Sequence, residues 1–152
     1  MHTLIIYASI HQGNTKKIAD KIGEVLGAKV VDLSEADQEE IQKADMVGFG
    51  SGIYFSRFHK KLSRLVEGLP VMKNKKAFIF STSGMKAENI LNIAHGHFKK
   101  KLREKKFQVI GEFNCLGYDN YSLLKLKGGV NKGRPNERDE KQAKEFARSL
   151  LS

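Results

Sequence analysis

Three short stretches of this sequence combine glycine with hydroxyl and amide side chains, the residue types that often surround a bound phosphate or a polar planar ligand. They span residues 9–15, 50–56 and 81–85. Glycine lets a ligand approach the backbone closely, and hydroxyls and amides supply hydrogen-bond donors. The chemistry that these stretches indicate is ligand binding through backbone and neutral side-chain groups.

The first stretch lies between an apolar strand, residues 4–8, and a predicted helix that begins near Asn14. The first turn of a helix carries N–H groups without intrahelical acceptors, and these groups together with the helix dipole attract anions. The stretch matches neither a Walker loop nor a Gly-x-Gly-x-x-Gly loop. Two interpretations stay open: the loop binds a phosphate, or Asn14 or Thr15 only caps the helix.

The second and third stretches each follow a predicted strand. In the second, Tyr54 is placed to cover a flat ring, and the alternative is that Tyr54 or Phe55 packs into the core. In the third, small residues leave the backbone open to a ligand, and the alternative is an ordinary strand-to-helix turn. Ligands of open α/β sheets bind beyond the carboxyl ends of the strands, so we expect one site there.

Short apolar runs alternate with helical patterns along the chain, which predicts an α/β fold whose parallel sheet is covered by helices on both faces. The predicted strands are residues 4–8, 30–33, 46–50, 77–80 and 107–115. The predicted helices are residues 18–26, 58–66, 90–102 and 136–151, with a short helix or loop at 35–41. Asn136 is placed to cap the last helix, with Asp139 three residues later. We expect one domain over residues 1–152.

Composition favours a globular protein of the cytoplasm. Of the 152 residues, 40% are hydrophobic and 29% are charged, as in ordinary soluble domains. The single cysteine, Cys115, excludes an intramolecular disulfide, and we expect it to be a buried apolar side chain. No apolar run approaches the roughly 20 residues of a membrane span, and the sequence starts without a basic leader.

The net charge of +10 predicts anionic partners. A basic run at residues 99–106 and the cations Lys60, Lys61 and Arg64 on another predicted helix would form a basic face. We expect no nucleic-acid partner, because the charges are not interleaved with aromatic residues and no recognition motif is present. A docking surface and a solvated surface both stay open for this face.

The sequence predicts neither a metal site nor a catalytic side chain. His95 and His97 lie two residues apart, so a helix points them to different faces, and no carboxylate or cysteine stands at ligand spacing. No residues suggest a serine–histidine–aspartate arrangement.

The three polar stretches resemble the flavin-binding loops of flavodoxins. Residues 7–9 and 13–15 resemble the phosphate loop of that family, residues 48–54 its second flavin loop and residues 80–84 its third. Residues 133–139 are similar to the start of the last helix in flavodoxin-domain proteins of anaerobic bacteria and archaea. The resemblance extends over essentially the whole chain.

This resemblance implies a five-stranded parallel sheet in the order 2-1-3-4-5 and one non-covalent FMN that transfers electrons. It assigns the FMN phosphate to Ser9, His11, Gly13, Asn14 and Thr15. It assigns one side of the ring to Ser51, Gly52, Ile53 and Tyr54, and the other edge to Thr82, Ser83 and Gly84. It implies that the Gly52 peptide reorients when the flavin is reduced. An electron carrier is favoured over an enzyme. The positive net charge favours redox partner proteins with acidic surfaces, and peripheral membrane contact stays open.

Two alternatives accompany that hypothesis. Residues 52–59 also resemble part of the flavodoxin-like protoporphyrinogen dehydrogenases, with His59 on their histidine and Tyr54 where they carry an arginine. Such a protein would oxidise an organic substrate, and residues 116–134 would parallel an extra loop of those enzymes. The simpler interpretation of His59 is a surface histidine at a helix start. The other alternative is a flavodoxin-fold binding module without a cofactor.

Overall fold

The computed structural model describes residues 1–8, 13–84, 88–117 and 134–152, and strands alternate with helices throughout them. The strands are β1 (Thr3–Ala8), β2 (Lys29–Asp32), β3 (Met46–Tyr54), β4 (Arg57–Phe58), β5 (Lys76–Ser83) and β6 (Gln108–Leu116). The helices are α1 (Asn14–Leu26), α2 (Gln38–Lys43), α3 (Lys60–Glu67), α4 (Glu88–Glu104) and α5 (Glu137–Ser149). A 3₁₀ turn, Leu33–Glu35, follows β2.

Five strands form a parallel sheet in the order β2-β1-β3-β5-β6, and β4 pairs antiparallel with the end of β3. Without the short β4, this is the expected order 2-1-3-4-5, so the predicted fold is confirmed. The chain moves outward from β1 to β2 and then returns to place β3 on the other side of β1. The direction of winding therefore changes between β1 and β3, and a crevice opens beyond the ends of these two strands.

Helices cover both faces of the sheet because successive strand residues point to opposite sides. In β1, Ile5 joins one apolar layer with α1 and α5, and Ile6 joins the other layer with α2, α3 and α4. Both side chains are fully buried. The short strands are thus apolar almost throughout, as expected for parallel strands covered on both faces. No helix within the described ranges combines the length and apolar character needed to cross a membrane.

Two glycines of β3 make room for phenylalanine rings from β5. A β-carbon on Gly48 would overlap the ring of Phe78, and one on Gly50 would overlap the ring of Phe80. The two rings stack, with centroids 6.2 Å apart and planes 27° from parallel. The two glycines thus let large rings lie over β3 beneath α1 and α5.

The predicted capping of the start of α5 by Asn136 is confirmed. Asn136 accepts from the Asp139 N–H at 3.1 Å, and the Asp139 carboxylate accepts from the Asn136 N–H at 2.8 Å, which is a complete capping box. The buried Asp139 carboxylate also binds the Arg134 guanidinium. Cys115 is buried, as predicted. The loop noted at residues 116–134 lies largely outside the described residues.

Residues 50–58 correct the sequence-based element boundaries. β3 was predicted to end at Gly50 but runs to Tyr54, and Phe58 belongs to β4 although its spacing suggested the first residue of a helix. Tyr54 pairs with Arg57 around a two-residue turn. Both turn residues, Phe55 and Ser56, have positive φ, at 50° and 63°. Such turns are normally signalled by Asn-Gly or Gly, and neither is present here, so this hairpin was not predicted.

Candidate functional site

The carboxyl ends of β1, β3 and β5 meet at one edge of the sheet. Ala8 pairs with Ser51, Ser51 pairs with Ser81, and one step further Gly52 pairs with Thr82. The three polar stretches therefore start side by side, as the sequence predicted from the strand order. Two of the predicted phosphate-binding residues lie outside the described part of the chain: Ser9 and His11.

The start of α1 has no side-chain cap. Gly13 precedes the helix in the left-handed conformation with φ 65°, and Asn14 and Thr15 are the first helical residues. The interpretation that Asn14 or Thr15 caps the helix is therefore wrong. The N–H of Lys17 bonds to the Gly13 carbonyl at 3.1 Å, and the N–H groups before it precede the intrahelical ladder.

The space around this helix start suits an anion. Among the described residues, no atom beyond the chain neighbours of Gly13 lies within 4 Å of the position that a β-carbon would take on it. The first turn of α1 contains no acidic residue. Open space, amide hydrogens and the positive end of the helix dipole together favour a negatively charged group at Gly13.

A hydroxyl pair joins the first and third loops. Thr15 is only 1% exposed, and its Oγ1 lies 2.9 Å from Oγ1 of the buried Thr82. Their mutual hydrogen bond uses one of the two hydroxyl hydrogens, so the other hydroxyl keeps a hydrogen for a further acceptor. The pair fixes the position of α1 relative to the end of β5.

Asn14 connects the first loop to the last strand of the sheet. A β-carbon on Gly117 would lie 2.6 Å from the Asn14 Nδ2, so only glycine lets the amide pack this closely against the chain after β6. The Gly117 N–H in turn donates to the Ser83 carbonyl at 2.9 Å. The Asn14 side chain is thus directed toward β6, while its backbone lies in the first turn of α1.

In the second loop, the side chain of Ser51 forms its hydrogen bonds within the protein. Its side chain is fully buried, donates to the Gly52 carbonyl at 2.6 Å and accepts from the His59 N–H at 2.8 Å. In this structure Ser51 therefore connects the Gly52 carbonyl to the start of α3. Ile53 is half-buried and packs against the core layer of α3 and α4.

Tyr54 provides a planar surface at this edge of the sheet. Its side chain folds back over Gly52, where a β-carbon would lie 2.6 Å from the Tyr54 Oη. Its ring meets the His59 ring edge to face, with centroids 5.8 Å apart. His59 caps α3, because its Nδ1 accepts from the Lys61 N–H at 3.1 Å. Burial, followed by the charge of Lys61, lowers the pKa of His59.

Beneath the third loop runs a row of hydrogen bonds from β6 to β5 and α4. Asn114 Nδ2 donates to Ser81 Oγ at 2.8 Å, and Ser81 Oγ lies 2.6 Å from His95 Nε2. His95 Nδ1 lies 3.2 Å from Glu112 Oε1, and Lys99 donates to Glu112 Oε2 at 2.6 Å. Because the carboxylate can only accept, Nδ1 carries the hydrogen and Nε2 accepts from Ser81.

The sequence did not suggest this serine–histidine–acid row, because its members stand on three separate elements. Ser81 has no exposed surface, so its hydroxyl is a support of the loop and is closed to a substrate. Burial lowers the pKa of His95, although Glu112 acts to raise it. Burial acts to raise the pKa of Glu112, but Lys99 and His95 outweigh it and lower the value. Asn114 also reaches Ser83 Oγ at 3.4 Å, next to the half-buried Gly84.

A cleft of about 440 Å³ opens beside Tyr54, between the β3–β4 turn, α3 and α4. Three aromatic residues line it: Tyr54, Phe55 and Phe58. Four cations also line it: Arg57, Lys60, Arg64 and Lys101. The basic residues noted on two predicted helices thus lie on one face of the sheet, as expected. The sequence did not predict that this face would border the second loop.

Comparisons with known proteins agree with this geometry. The Flavodoxin domain family matches residues 4–126. An uncharacterized protein of Methanocaldococcus jannaschii is 44% identical over 151 residues, 99% of each chain. Oxidised Flavodoxin 1 from Bacillus cereus superposes with a TM-score of 0.74 at 17% identity, covering 99% of this chain and 97% of that one. A flavoprotein from Lactobacillus acidophilus, solved in complex with FMN, gives 0.58 at 21% identity, covering 74% and 92%.

Proposed function

Because this chain belongs to the flavodoxin family, we propose that it binds one FMN and carries electrons between proteins. The observation that best supports the proposal is the start of α1 at Gly13, which has no acidic residue in its first turn and lies at the same sheet edge as the planar side chain of Tyr54. An anion site next to a planar surface suits the two ends of FMN, its phosphate and its ring.

The residues at this edge fit a flavin nucleotide. The phosphate would be held by N–H groups at the start of α1 and by the Thr15–Thr82 hydroxyl pair, with Ser9 and His11 completing the loop. The ring would lie against Tyr54 on one side and the third loop on the other. Bound FMN supplies one- and two-electron transfer, and the protein supplies binding, orientation and exclusion of water.

An electron carrier fits the site better than an organic-substrate dehydrogenase. The histidine that the dehydrogenase alternative depends on, His59, already caps α3 through Nδ1. The hydroxyls of Ser51 and Ser81 are fully buried and bonded within the protein. These side chains therefore position loops. The reducing cytoplasm, which suits a protein with one buried cysteine, is the compartment that we propose, with acidic proteins as redox partners.

The test is a flavin titration of the purified protein. We expect a yellow protein, or quenching of FMN fluorescence on addition to the protein freed of ligand, with one FMN bound per chain. Riboflavin, which lacks the phosphate, should bind at least tenfold more weakly, because charge-assisted hydrogen bonds contribute about 1.5–3 kcal/mol each. A protein that neither holds flavin nor quenches it would overturn the proposal and leave the cofactor-free binding module.

A further inference from the structure

The turn between β3 and β4 carries a bulky aromatic residue under two unfavourable conditions. Phe55 is 97% exposed, which leaves nearly its whole ring in water. It also has φ 50°, in the left-handed region that glycine and asparagine adopt at lower cost. Ser56 follows with φ 63°. The Phe55 ring buries almost none of its surface in the described structure, so it is available to another surface.

The surroundings of Phe55 are cationic. Arg57, Lys60 and Arg64 line the adjacent cleft and form no ion pair within the described residues. The acidic residue of the lining, Glu67, is already paired with Lys101 at 2.5 Å. An uncompensated positive field therefore surrounds the exposed ring.

The ionisation of His97, which also lines the cleft, agrees with that field. Burial lowers the pKa of His97 first, and the charges of Arg57, Lys101 and Lys100 lower it further, against a smaller opposing effect of Glu67. Arg57 Nη1 donates to the Ser56 carbonyl at 3.0 Å, which leaves the other N–H groups of the guanidinium. A carboxylate brought to this cleft would meet donors and positive charge without breaking an ion pair among the described residues.

We propose that Phe55 and the cationic cleft form the docking surface for an acidic redox protein. Its partner surface would present an apolar socket for the Phe55 ring, surrounded by carboxylates that face Arg57, Lys60 and Arg64. A buried aromatic anchor surrounded by polar and charged residues is typical of a hot spot in a protein interface. The charges steer the encounter and set its orientation.

The position of this surface links docking to electron transfer. Phe55 directly follows Tyr54, the side chain that covers Gly52 at the sheet edge. A protein docked on Phe55 would therefore lie against the loop that holds the flavin ring. This step rests on the proposed function. Tyr54 belongs both to the cleft lining and to the proposed FMN site, whereas the cleft residues varied in the test below belong to the docking surface alone.

The test uses a plant-type [2Fe–2S] ferredoxin, a strongly acidic redox protein, as the probe. Its binding is measured by titration calorimetry with both the FMN-loaded and the flavin-free protein at low ionic strength. Phe55→Asn removes the ring and places a residue that favours positive φ in the turn, so the hairpin is retained. We expect this variant to weaken binding about tenfold or more.

Charge variants separate steering from anchoring. Lys60→Glu and Arg64→Glu should each weaken binding several-fold at low salt, with a smaller effect at high salt because exposed charges are screened. Lys141→Glu makes the same charge change on α5, on the opposite face of the sheet, and should leave binding nearly unchanged. Circular dichroism melting of every variant checks that the fold persists.

Two results would overturn the docking surface: absent binding of the ferredoxin at low salt, or equal affinities of the Phe55→Asn and wild-type proteins. Binding to phosphatidylglycerol vesicles that depends on Phe55, with no ferredoxin binding, would overturn it in favour of a membrane surface. Flavin-free protein that binds the ferredoxin through Phe55 but never takes up FMN would support the docking surface while rejecting the proposed function.

Discussion

At the scale of single residues, Thr15 connects recognition of the ligand to the arrangement of the loops. Its hydroxyl is buried against that of Thr82, on the strand that carries the third loop. One side chain therefore both sets the distance between α1 and β5 and supplies a hydrogen-bonding group beside the open helix start. A change here affects the phosphate end of the site before the ring end.

We expect Thr15→Ala to weaken FMN binding about tenfold or more, because a charge-assisted hydrogen bond and the partner of Thr82 are lost together. Fluorescence quenching titrations of FMN measure the effect. Thr15→Ser is the matched control, since it keeps the hydroxyl and should retain most of the affinity. Riboflavin affinity should change far less than FMN affinity. Equal losses for both ligands would contradict a phosphate-specific role.

We assign Gly52 and Tyr54 to the ring end of the proposed site. A side chain on Gly52 would strike the Tyr54 hydroxyl, so Gly52→Val should displace the tyrosine ring. We expect a measurable shift in the flavin reduction potentials, because burial and hydrogen bonding around the ring change. Tyr54→Ala should shift them as well. Redox titration measures both.

Gly96→Ala serves as the control for these ring-end variants. A β-carbon on Gly96 would meet no atom within 4 Å, and its position lies within α4. Its potentials should equal those of the wild type. Unchanged potentials in both Gly52→Val and Tyr54→Ala would refute the assignment of this loop to the ring, including the expected reorientation of the Gly52 peptide.

At the scale of elements, the row from Asn114 through His95 to Lys99 joins β6, β5 and α4 beneath the third loop. It operates with a neutral imidazole, since Nε2 accepts from Ser81. Protonation of His95 would remove that acceptor inside a buried site. The support of the third loop is therefore sensitive to acid.

This sensitivity predicts how stability depends on pH. The folded pKa of His95 is lowered, mainly by burial, whereas the unfolded ring titrates near its ordinary value of about 6.5. Below that value the unfolded chain binds more protons than the folded chain, so the free energy of unfolding falls as pH falls. We expect full stability above about pH 7 and a progressive loss as the pH falls below about 6.5, measured by urea denaturation.

His95→Gln removes the titrating group and should flatten this part of the pH profile, at the expense of stability at neutral pH. His97→Gln is the comparison variant on the same helix. The pKa of His97 is lowered as well, but its ring is exposed, so this variant should flatten the profile less than His95→Gln does. A His95→Gln protein with an unaltered pH slope would show that other groups cause the acid sensitivity.

The elements that the sequence predicted are those whose signals are local. Apolar runs gave the five parallel strands, and Asn136 with Asp139 gave the start of α5. The β3–β4 hairpin was missed because Phe55 and Ser56 occupy positions where glycine or asparagine is expected. The row through His95 was missed because contacts across 14 and 17 residues in sequence have no local pattern. The order of the loops predicted the site, whereas the cleft beside it is formed by residues of three separate elements and has no local sequence pattern.

At the scale of the whole molecule, the positive charge is unevenly distributed. Basic and acidic side chains balance on α5, whereas α3 and the end of α4 carry mostly lysine and arginine. The basic residues of α4 differ from one another in their contacts. Lys99 and Lys101 pair with Glu112 and Glu67, while Lys100 is exposed without an ion pair in the described structure.

This difference predicts different outcomes for neighbouring lysines. Lys100→Glu should slow association with an acidic redox protein at low salt and leave the melting temperature nearly unchanged, because no internal contact is broken. Lys99→Glu should slow association and also lower stability, because it places two carboxylates together beside His95. Stopped-flow kinetics over a salt series and thermal melts measure the two effects. If the association rate changes with neither salt nor charge reversal, these lysines contribute only to solubility.

The phosphate site proposed at the start of α1 has a practical consequence for anyone who handles the flavin-free protein. Amide hydrogens that bind the phosphate of FMN beside Gly13 would not distinguish it from phosphate in the buffer. Inorganic phosphate or sulfate should therefore protect the protein against heat and lower its apparent affinity for FMN, as a competing ligand does. Storage in phosphate and titration in an amine buffer of equal ionic strength would exploit the first effect and avoid the second.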